Sequence, residues 1–154
     1  PDFKQKMVQI GYLARTANLL GIATPKIACI APSEQLLPNV ISSTEGALLA
    51  KMAARGQLGN VVVDGPLSLD VALYKEVAEH KKVKGSSVAG DPDCLLFPNL
   101  ESANVFFKSV SHLCGGELAA MVMGTKVPCV LTSRGDTSKT KLFSIALACL
   151  AVKK

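Results

Sequence analysis

The sequence predicts an α/β domain with three layers, α/β/α, built around a mostly parallel sheet that carries one antiparallel strand. Helical and strand patterns alternate along most of the chain, the order of elements that produces a parallel sheet covered by helices. The last two apolar runs, residues 118–123 and 127–131, are separated by only three residues. A parallel crossover needs a dozen residues or more, so these two strands are expected to pair antiparallel.

The chain opens with a helix followed by a strand. Apolar residues recur with helical spacing from Phe3 to Leu20, and Gly21 and Pro25 end the pattern. Residues 26–30, a lysine followed by four apolar residues, then predict a short buried strand.

The next elements follow the same alternation. Residues 42–45, Ser-Ser-Thr-Glu, have the pattern of a capping box ahead of a second helix, which Gly56 closes. The valines at residues 61–63 predict a second strand that stops at residues 64–66, Asp-Gly-Pro. Residues 67–78 carry an apolar stripe with helical spacing and predict a third helix.

The second half of the chain is predicted to add a strand, a helix, the antiparallel pair and a final helix. The third strand lies at residues 94–97, and Asn99 can cap the helix that buries Ala103 and Phe106. The final helix, residues 136–151, is expected to bury one apolar face. That face is formed by Leu142, Ile145, Ala146, Cys149 and Leu150.

The composition favours a small anionic ligand over a polymer. Of the 154 residues, 49% are hydrophobic, enough for a full core, and the formal net charge is +5. The lysines are scattered and aromatic residues make up only 5%, which argues against a nucleic-acid partner. No apolar run approaches the ~18–20 residues of a membrane helix, so no membrane partner is expected.

The cysteines and histidines indicate a reduced compartment and no metal site. Four of the five cysteines lie in apolar runs, as the packed thiols of a cytoplasmic protein do. The two histidines are isolated, and no CxxC or HExxH spacing is present, so no metal ligands are expected. Because the sequence opens at Pro1 with the pattern of a helix start, we expect a fragment of a longer protein.

The stretch VPCVLTSRGDTSKTKL carries most of the chemical information. Thr132, Ser133 and Arg134 lie between a predicted strand and a predicted helix, where backbone N–H groups are unpaired and the helix dipole is positive. Lys139 and Lys141 add positive charge to the first helical turn, where acids would suit the dipole better. The pattern predicts an anion-binding turn. A capped helix with solvated lysines is an equally good interpretation.

Three further residues are candidates for contacts with a substrate. Asp64 follows a predicted strand, where ligands bind in open α/β sheets, although Asp-Gly-Pro is also an ordinary turn sequence. Asn104 and Lys108 share a polar helical face with Ser111, and a solvated face is the simpler interpretation of that spacing. Asp91 and Asp93 flank a proline and favour a rigid turn over a metal or acid–base site.

Taken together, these segments resemble the phosphate acetyl/butyryltransferase family. The matching stretches are TEGALLAKMAARGQL, VVDGPLSLDVALYKEVAEHK, VAGDPDCLLFPNLESANVFFKS and VPCVLTSRGDTSKTKLFSIALA. The resemblance implies an isocitrate/isopropylmalate dehydrogenase-like fold and an enzyme with two α/β domains and the active site between them. Residues 1–154 would then be a single α/β domain, the C-terminal half, and the helix at residues 136–151 would pack on the missing domain.

The resemblance also implies a reaction. Acyl-CoA and phosphate would be converted reversibly to acyl phosphate and CoA, with a butyryl or another short or branched acyl group. Coenzyme A would be a substrate, and no tightly bound cofactor is expected. The family further implies a cytoplasmic homo-oligomer, and the 154-residue fragment alone is expected to have weak activity or none.

Under this resemblance, the anion-binding turn supplies the candidate catalytic residues. Arg134 suits the phosphate because its planar fork binds two oxygens at once. Ser133 would hydrogen-bond the carbonyl oxygen or the sulfur, and Asp136 is either the general base or the N-cap of the last helix. Thr132, Asp64, Asn104 and Lys108 are the candidate substrate-binding residues. The family has an acid six or seven positions after the Ser-Arg pair, where this chain has Lys139 and Thr140.

Two other functions stay open on the sequence alone. A metal- and NAD-dependent hydroxy-acid dehydrogenase would share the architecture, but it would need a carboxylate cluster, for which Asp91 and Asp93 are poor candidates. A non-catalytic ligand-binding or interaction domain is also compatible with half of an enzyme.

Overall fold

The structure, a computed structural model, describes residues 1–152. The chain folds into two compact units. The first unit comprises Pro1–Ala103, and the second begins at Asn104. None of the helices in the described part of the chain combines the length and the apolarity needed to cross a bilayer.

The first unit contains a parallel sheet of three strands. These strands are β1 (Lys26–Ile30), β2 (Val62–Leu67) and β3 (Cys94–Leu96), in the order β2-β1-β3. Both neighbours of β1 run parallel to it, which confirms the predicted parallel sheet. The bounds of β1 agree with the sequence prediction at both ends.

Helices cover both faces of this sheet because neighbouring residues of β1 point to opposite sides. Ile27 packs in a core with Ile10 and Leu49, whereas Ala28 packs in a second core with Leu67 and Val71. The helices of the first unit are α1 (Phe3–Leu19), α2 (Ile41–Ala54), α3 (Leu69–Leu73) and α4 (Lys75–His80). The helix predicted at residues 67–78 is thus two short helices with Tyr74 between them.

The predicted capping box at residues 42–45 is wrong, because its side chains have other partners. Helix α2 begins at Ile41, one residue before the predicted box, and its N-cap has no side-chain hydrogen bond. The buried Ser43 hydroxyl accepts from the Leu37 N–H at 2.9 Å and donates to the Gln35 carbonyl at 3.0 Å. Glu45 forms an ion pair with Lys6 of α1. Ser43 and Glu45 therefore hold the preceding loop and α1 instead of closing the helix.

Asp-Gly-Pro at residues 64–66 is neither a turn nor the end of a strand. Strand β2 continues to Leu67, Asp64 lies opposite Ala28 in the sheet, and the Gly65–Pro66 peptide bond is cis. A Cβ atom on Gly65 would lie 2.6 Å from the Cys29 Cβ, closer than two such carbons can approach. Glycine lets β2 stay against β1 at this position, so the apparent turn sequence serves strand packing.

The second unit contains most of α5 (Leu100–His112) and all of α6 (Ser138–Val152). As predicted, Asn99 accepts a hydrogen bond near the start of α5, from the Ser102 N–H at 2.9 Å. The strands predicted at residues 118–123 and 127–131 do not form. A single antiparallel bridge joins Val122 and Cys129 within residues 1–152. The antiparallel strand of the sheet is therefore not confirmed.

The two predicted strands do not form because their apolar side chains have little to pack against in this unit. Val127 is 69% exposed and Leu131 is 78% exposed, so their apolar side chains are not buried by a layer on either side. Strand propensity is expressed on a half-buried, pleated surface, and these residues lack one here.

Helix α6 buries small residues instead of the predicted apolar face. Its buried positions are Thr140, Ser144, Ala148 and Ala151, whereas Leu142, Ile145, Cys149 and Leu150 are exposed. The buried Ser144 hydroxyl donates to the Thr140 carbonyl at 2.7 Å and accepts from the Ala120 N–H at 3.0 Å. Those hydrogen bonds make a polar residue acceptable on the buried face.

The cysteines provide a test of the first unit's core. Burial raises the pKa of Cys29 to about 12 and that of Cys94 to about 11, whereas Cys114 and Cys149 are exposed. Because the thiolate is the reactive form, an alkylating reagent at pH 8 should modify Cys114 and Cys149 long before Cys29. Mass spectrometry of the native protein over time measures the order, with a denatured sample as control. Modification of native Cys29 as fast as Cys114 would contradict this packing.

Candidate functional site

Ser133 to Asp136 form a β-turn with Arg134 and Gly135 at its centre. The Asp136 N–H donates to the Ser133 carbonyl at 3.1 Å, which closes the turn through the backbone. The Ser133 N–H in turn donates to Asp136 Oδ2 at 2.8 Å. Two hydrogen bonds between the same two residues thus fix the loop on which Arg134 is carried.

The Asp136 carboxylate also binds a cation from α5. Its side chain is only 4% exposed, and Oδ1 lies 3.4 Å from the Lys108 Nζ. A carboxylate withdrawn from water needs a counter-charge and hydrogen-bond donors, and Lys108 and the Ser133 amide supply them. The predicted residues Lys108, Ser133 and Asp136 are therefore brought together in the second unit.

Thr137, not Asp136, is the N-cap of the last helix. The Thr137 hydroxyl accepts from the Thr140 N–H at 3.1 Å, and its carbonyl accepts from the Lys141 N–H at 3.1 Å. The cap interpretation of Asp136 is wrong because its carboxylate points to Ser133 and Lys108. No described residue accepts a hydrogen bond from the N–H of Ser138 or Lys139, so these two donors are open to a ligand or to water.

The charges around the turn differ from the sequence expectation in one respect. Lys139 is not an unpaired cation, because it forms an ion pair with Glu117 and lies over the Phe143 ring at 5.6 Å. Arg134 is exposed and forms no ion pair with any residue from 1 to 152. The Ser133 side chain is exposed as well. A guanidinium and a hydroxyl are thus presented outward from a fixed turn.

A cleft of about 430 Å³ lies beside the turn, between the end of α5 and the start of α6. It is lined by Ser111, Gly115, Gly116, Glu117, Thr137, Lys139 and Thr140. The residues around it contribute three hydroxyls, two glycines and one ion pair. That lining suits a ligand that has both apolar and hydrogen-bonding groups.

The remaining predicted residues have simpler surroundings. Asn104 is exposed one helical turn before Lys108, and Thr132 is half-buried at the entrance to the turn. Asp64 belongs to the first unit, where its Oδ1 accepts from the Gly65 N–H at 2.8 Å. The predictions that these three residues contact a substrate stay predictions.

Asp91 and Asp93 bind the start of β1. The Lys26 Nζ lies 2.6 Å from Asp91 Oδ2, and the Lys26 N–H donates to Asp93 Oδ2 at 2.8 Å. The hydrogen bond with Asp91 raises the pKa of Lys26, and the same contact lowers the pKa of Asp91. These contacts lie at the amino end of β1, opposite the edge where ligands bind in parallel sheets.

Two residues of this region escaped the sequence analysis. Thr137 had a local signal, since a threonine directly before a helical pattern is a good N-cap, but Asp136 had the same signal one position earlier. Glu117 follows two glycines and had no signal, because its partner Lys139 is 22 residues away in the sequence.

The chain matches known proteins along nearly its whole length. Residues 1–149 match the protein family described as Phosphate acetyl/butaryl transferase. The chain is 43% identical over 150 residues to a phosphate butyryltransferase of Clostridium acetobutylicum, covering 97% of this chain and 50% of that protein. It is 40% identical over 148 residues to a phosphate acetyltransferase of Thermotoga maritima, covering 96% and 50%.

A solved structure supports the same relationship. The crystal structure of a branched-chain phosphotransacylase from Enterococcus faecalis superposes with a TM-score of 0.89 at 31% identity, covering 99% of this chain and 54% of that one. The chain spans about half the length of the relatives it matches. On the family match and these identities, the chain belongs to the phosphate acetyl/butaryl transferase family.

Proposed function

We propose that this chain carries the phosphate-binding part of a phosphate acyltransferase, which interconverts acyl-CoA and phosphate with acyl phosphate and CoA. The observation that carries the proposal is the exposed Arg134 on a turn fixed by the nearly buried Asp136 carboxylate, which Lys108 pairs with. The names of the relatives, which transfer acetyl and butyryl groups to phosphate, support the same reaction.

In this proposal the turn receives the phosphoryl group. Arg134 binds two phosphate oxygens through its planar fork, and the open N–H groups of Ser138 and Lys139 at the start of α6 favour negative charge nearby. The Ser133 hydroxyl hydrogen-bonds the carbonyl oxygen of the acyl group as negative charge develops there. Donors that are already in place lower the barrier because they need no reorganisation during the reaction.

Asp136 acts here as a positioning residue. Its two carboxylate oxygens each contact a donor of the site, the Ser133 amide and the Lys108 ammonium. Lys108 adds positive charge beside the turn. Asn104, one turn away, and Thr132 orient the substrate. Asp64, which belongs to the first unit, stays a candidate substrate-binding residue.

The wider organisation is part of the proposal. We propose that residues 1–154 form the C-terminal half of an isocitrate/isopropylmalate dehydrogenase-like enzyme of two α/β domains, acting on a butyryl or another short or branched acyl group. The exposed apolar face of α6, including Leu142 and Ile145, supports packing against further protein. Coenzyme A is a substrate rather than a bound cofactor, and we propose a cytoplasmic homo-oligomer as the working form.

The reaction is tested with the protein as encoded by its complete gene. Thiol release from butyryl-CoA in the presence of phosphate measures it directly, with a reaction lacking phosphate as the control. Phosphate-dependent release is the expected result, and its absence with butyryl-, acetyl- and branched-chain acyl-CoA would overturn the proposal.

Replacing Arg134 with lysine should weaken the use of phosphate. A lysine keeps the charge but not the fork, and losing one charged hydrogen bond costs about 1.5–3 kcal/mol, so the KM for phosphate should rise about 10- to 100-fold. The matched control is Arg55→Lys, since Arg55 is exposed at the end of α2. Unchanged phosphate kinetics in Arg134→Lys would remove Arg134 from the site.

Replacing Asp136 with asparagine separates a positioning role from a general base. If Asp136 is a positioning residue, the Asp136→Asn variant should lose about 1–3 kcal/mol of stability because its charged hydrogen bonds are gone. Its KM for phosphate should also rise. A double variant that also carries Lys108→Met should be little less stable than Asp136→Asn alone, since the pair is already broken. Denaturant unfolding measures both. A turnover loss of about 100-fold or more with unchanged stability would instead identify Asp136 as the base.

A further inference from the structure

The reaction proposed above needs an acceptor for the proton of the CoA thiol, and Asp136 is poorly placed to be that acceptor. Its side chain is 4% exposed, one oxygen accepts from the Ser133 amide, and the other faces the Lys108 ammonium. Protonating Asp136 would weaken the contacts that fix the turn. A base must also reach the proton directly or through one water, and this carboxylate is largely withdrawn from solvent.

Glu117, unlike Asp136, is open to solvent. It is the one carboxylate among the described residues that line the cleft beside the turn, and its side chain is 55% exposed. The cleft is also lined by Thr137, which directly follows Asp136, and by Ser111, one turn after Lys108 on α5. A ligand in this cleft therefore lies next to the residues proposed to hold the phosphate.

The backbone that carries Glu117 is fixed at the preceding residue. The Gly116 N–H donates to the Val110 carbonyl at 2.8 Å, and a Cβ on Gly116 would lie 2.6 Å from the Val110 Cγ1. A larger residue at position 116 would require Val110 to shift. The Glu117 Oε1 also forms an ion pair with the Lys139 ammonium in the first turn of α6.

We propose that Glu117 is the general base that accepts the thiol proton, a proposal that rests on the acyltransferase function above. As the S–H bond breaks, the proton passes to the Glu117 carboxylate, and the sulfur forms a bond to the acyl carbonyl carbon. The C–O bond to the phosphoryl group then breaks, and the proton leaves Glu117 for the departing phosphate, which is released as hydrogen phosphate. In the reverse direction, protonated Glu117 delivers its proton to the thiolate of CoA. Lys139 acts as a positioning residue that keeps the carboxylate in the cleft.

The test compares Glu117→Gln and Glu117→Ala with the parent protein, all expressed from the complete gene. Glu117→Gln should lower kcat by about 10²–10⁴-fold in both directions, while the KM for phosphate changes less than twofold. Added formate should restore part of the turnover of Glu117→Ala, because a small carboxylate can occupy the vacated space and accept the proton. The matched control is Glu101→Gln, an exposed glutamate in the first turn of α5, which should keep the parent kcat and show no response to formate.

The outcomes are distinguishable. A parent protein that releases no thiol from acyl-CoA and phosphate would overturn the proposed function and, with it, this role. An active parent with an equally active Glu117→Gln would overturn the role of Glu117 alone. A loss in Glu117→Ala that formate does not relieve, accompanied by a raised KM for both substrates, would also overturn it, because Glu117 would then only shape the cleft.

Discussion

A single nearly buried carboxylate, that of Asp136, holds the candidate site together. Burying its charge is acceptable only because the Ser133 amide and the Lys108 ammonium both contact it. Those contacts fix the turn. The Ser133 N–H is hydrogen-bonded to Asp136 within the turn, whereas the Arg134 guanidinium and the Ser133 hydroxyl remain exposed. With Asp136 engaged in this way, the N-cap position passes to Thr137, and α6 begins two residues later than the aspartate.

The two units are stabilised in different ways. The first has large, fully buried side chains on both faces of its sheet, such as Ile27 and Leu67, and a glycine at residue 65 that lets β2 lie against β1. The second buries mainly small residues, and the hydroxyl of Ser144 is hydrogen-bonded on both its donor and acceptor sides. Its larger apolar residues, among them Leu131 and Leu142, are exposed. The candidate phosphate turn therefore belongs to a unit with little large apolar core of its own, and its rigidity comes from specific polar contacts.

Local patterns in the sequence predicted elements well where the local signal and the tertiary packing agree. Strand β1 is apolar after Lys26 and has a proline before it, and its bounds were predicted correctly. Residues 64–66 were predicted to form a turn because Gly-Pro is common in turns, and the need for a glycine beside Cys29 is visible only in three dimensions. Ser43 and Glu45 failed as a capping box for a related reason: their partners lie outside the helix, and that of Glu45 is 39 residues away. The exposed face of α6 was expected to be buried because sequence periodicity identifies an apolar face but not what covers it.

The same distinction applies to the site. Ser133, Asp136 and Lys108 were all named from the sequence. Ser133 and Asp136 were named for their place just before the last helix, and Lys108 for the polar helical face it shares with Asn104 and Ser111. The separate roles of these residues were not predictable, since they depend on a contact between residues 28 positions apart. Glu117 was missed altogether for the same reason. The family resemblance supplied a reaction, which the residue patterns alone did not specify.

We propose that the turn fixed by Asp136 binds the phosphoryl group, and a crystal structure of the protein grown with inorganic phosphate tests this most directly. We expect a tetrahedral anion with two oxygens within hydrogen-bond distance of the Arg134 guanidinium and a third near the Ser133 hydroxyl, with the Asp136–Lys108 contact intact. Phosphate bound at full occupancy elsewhere, with Arg134 turned away from it, would contradict the account.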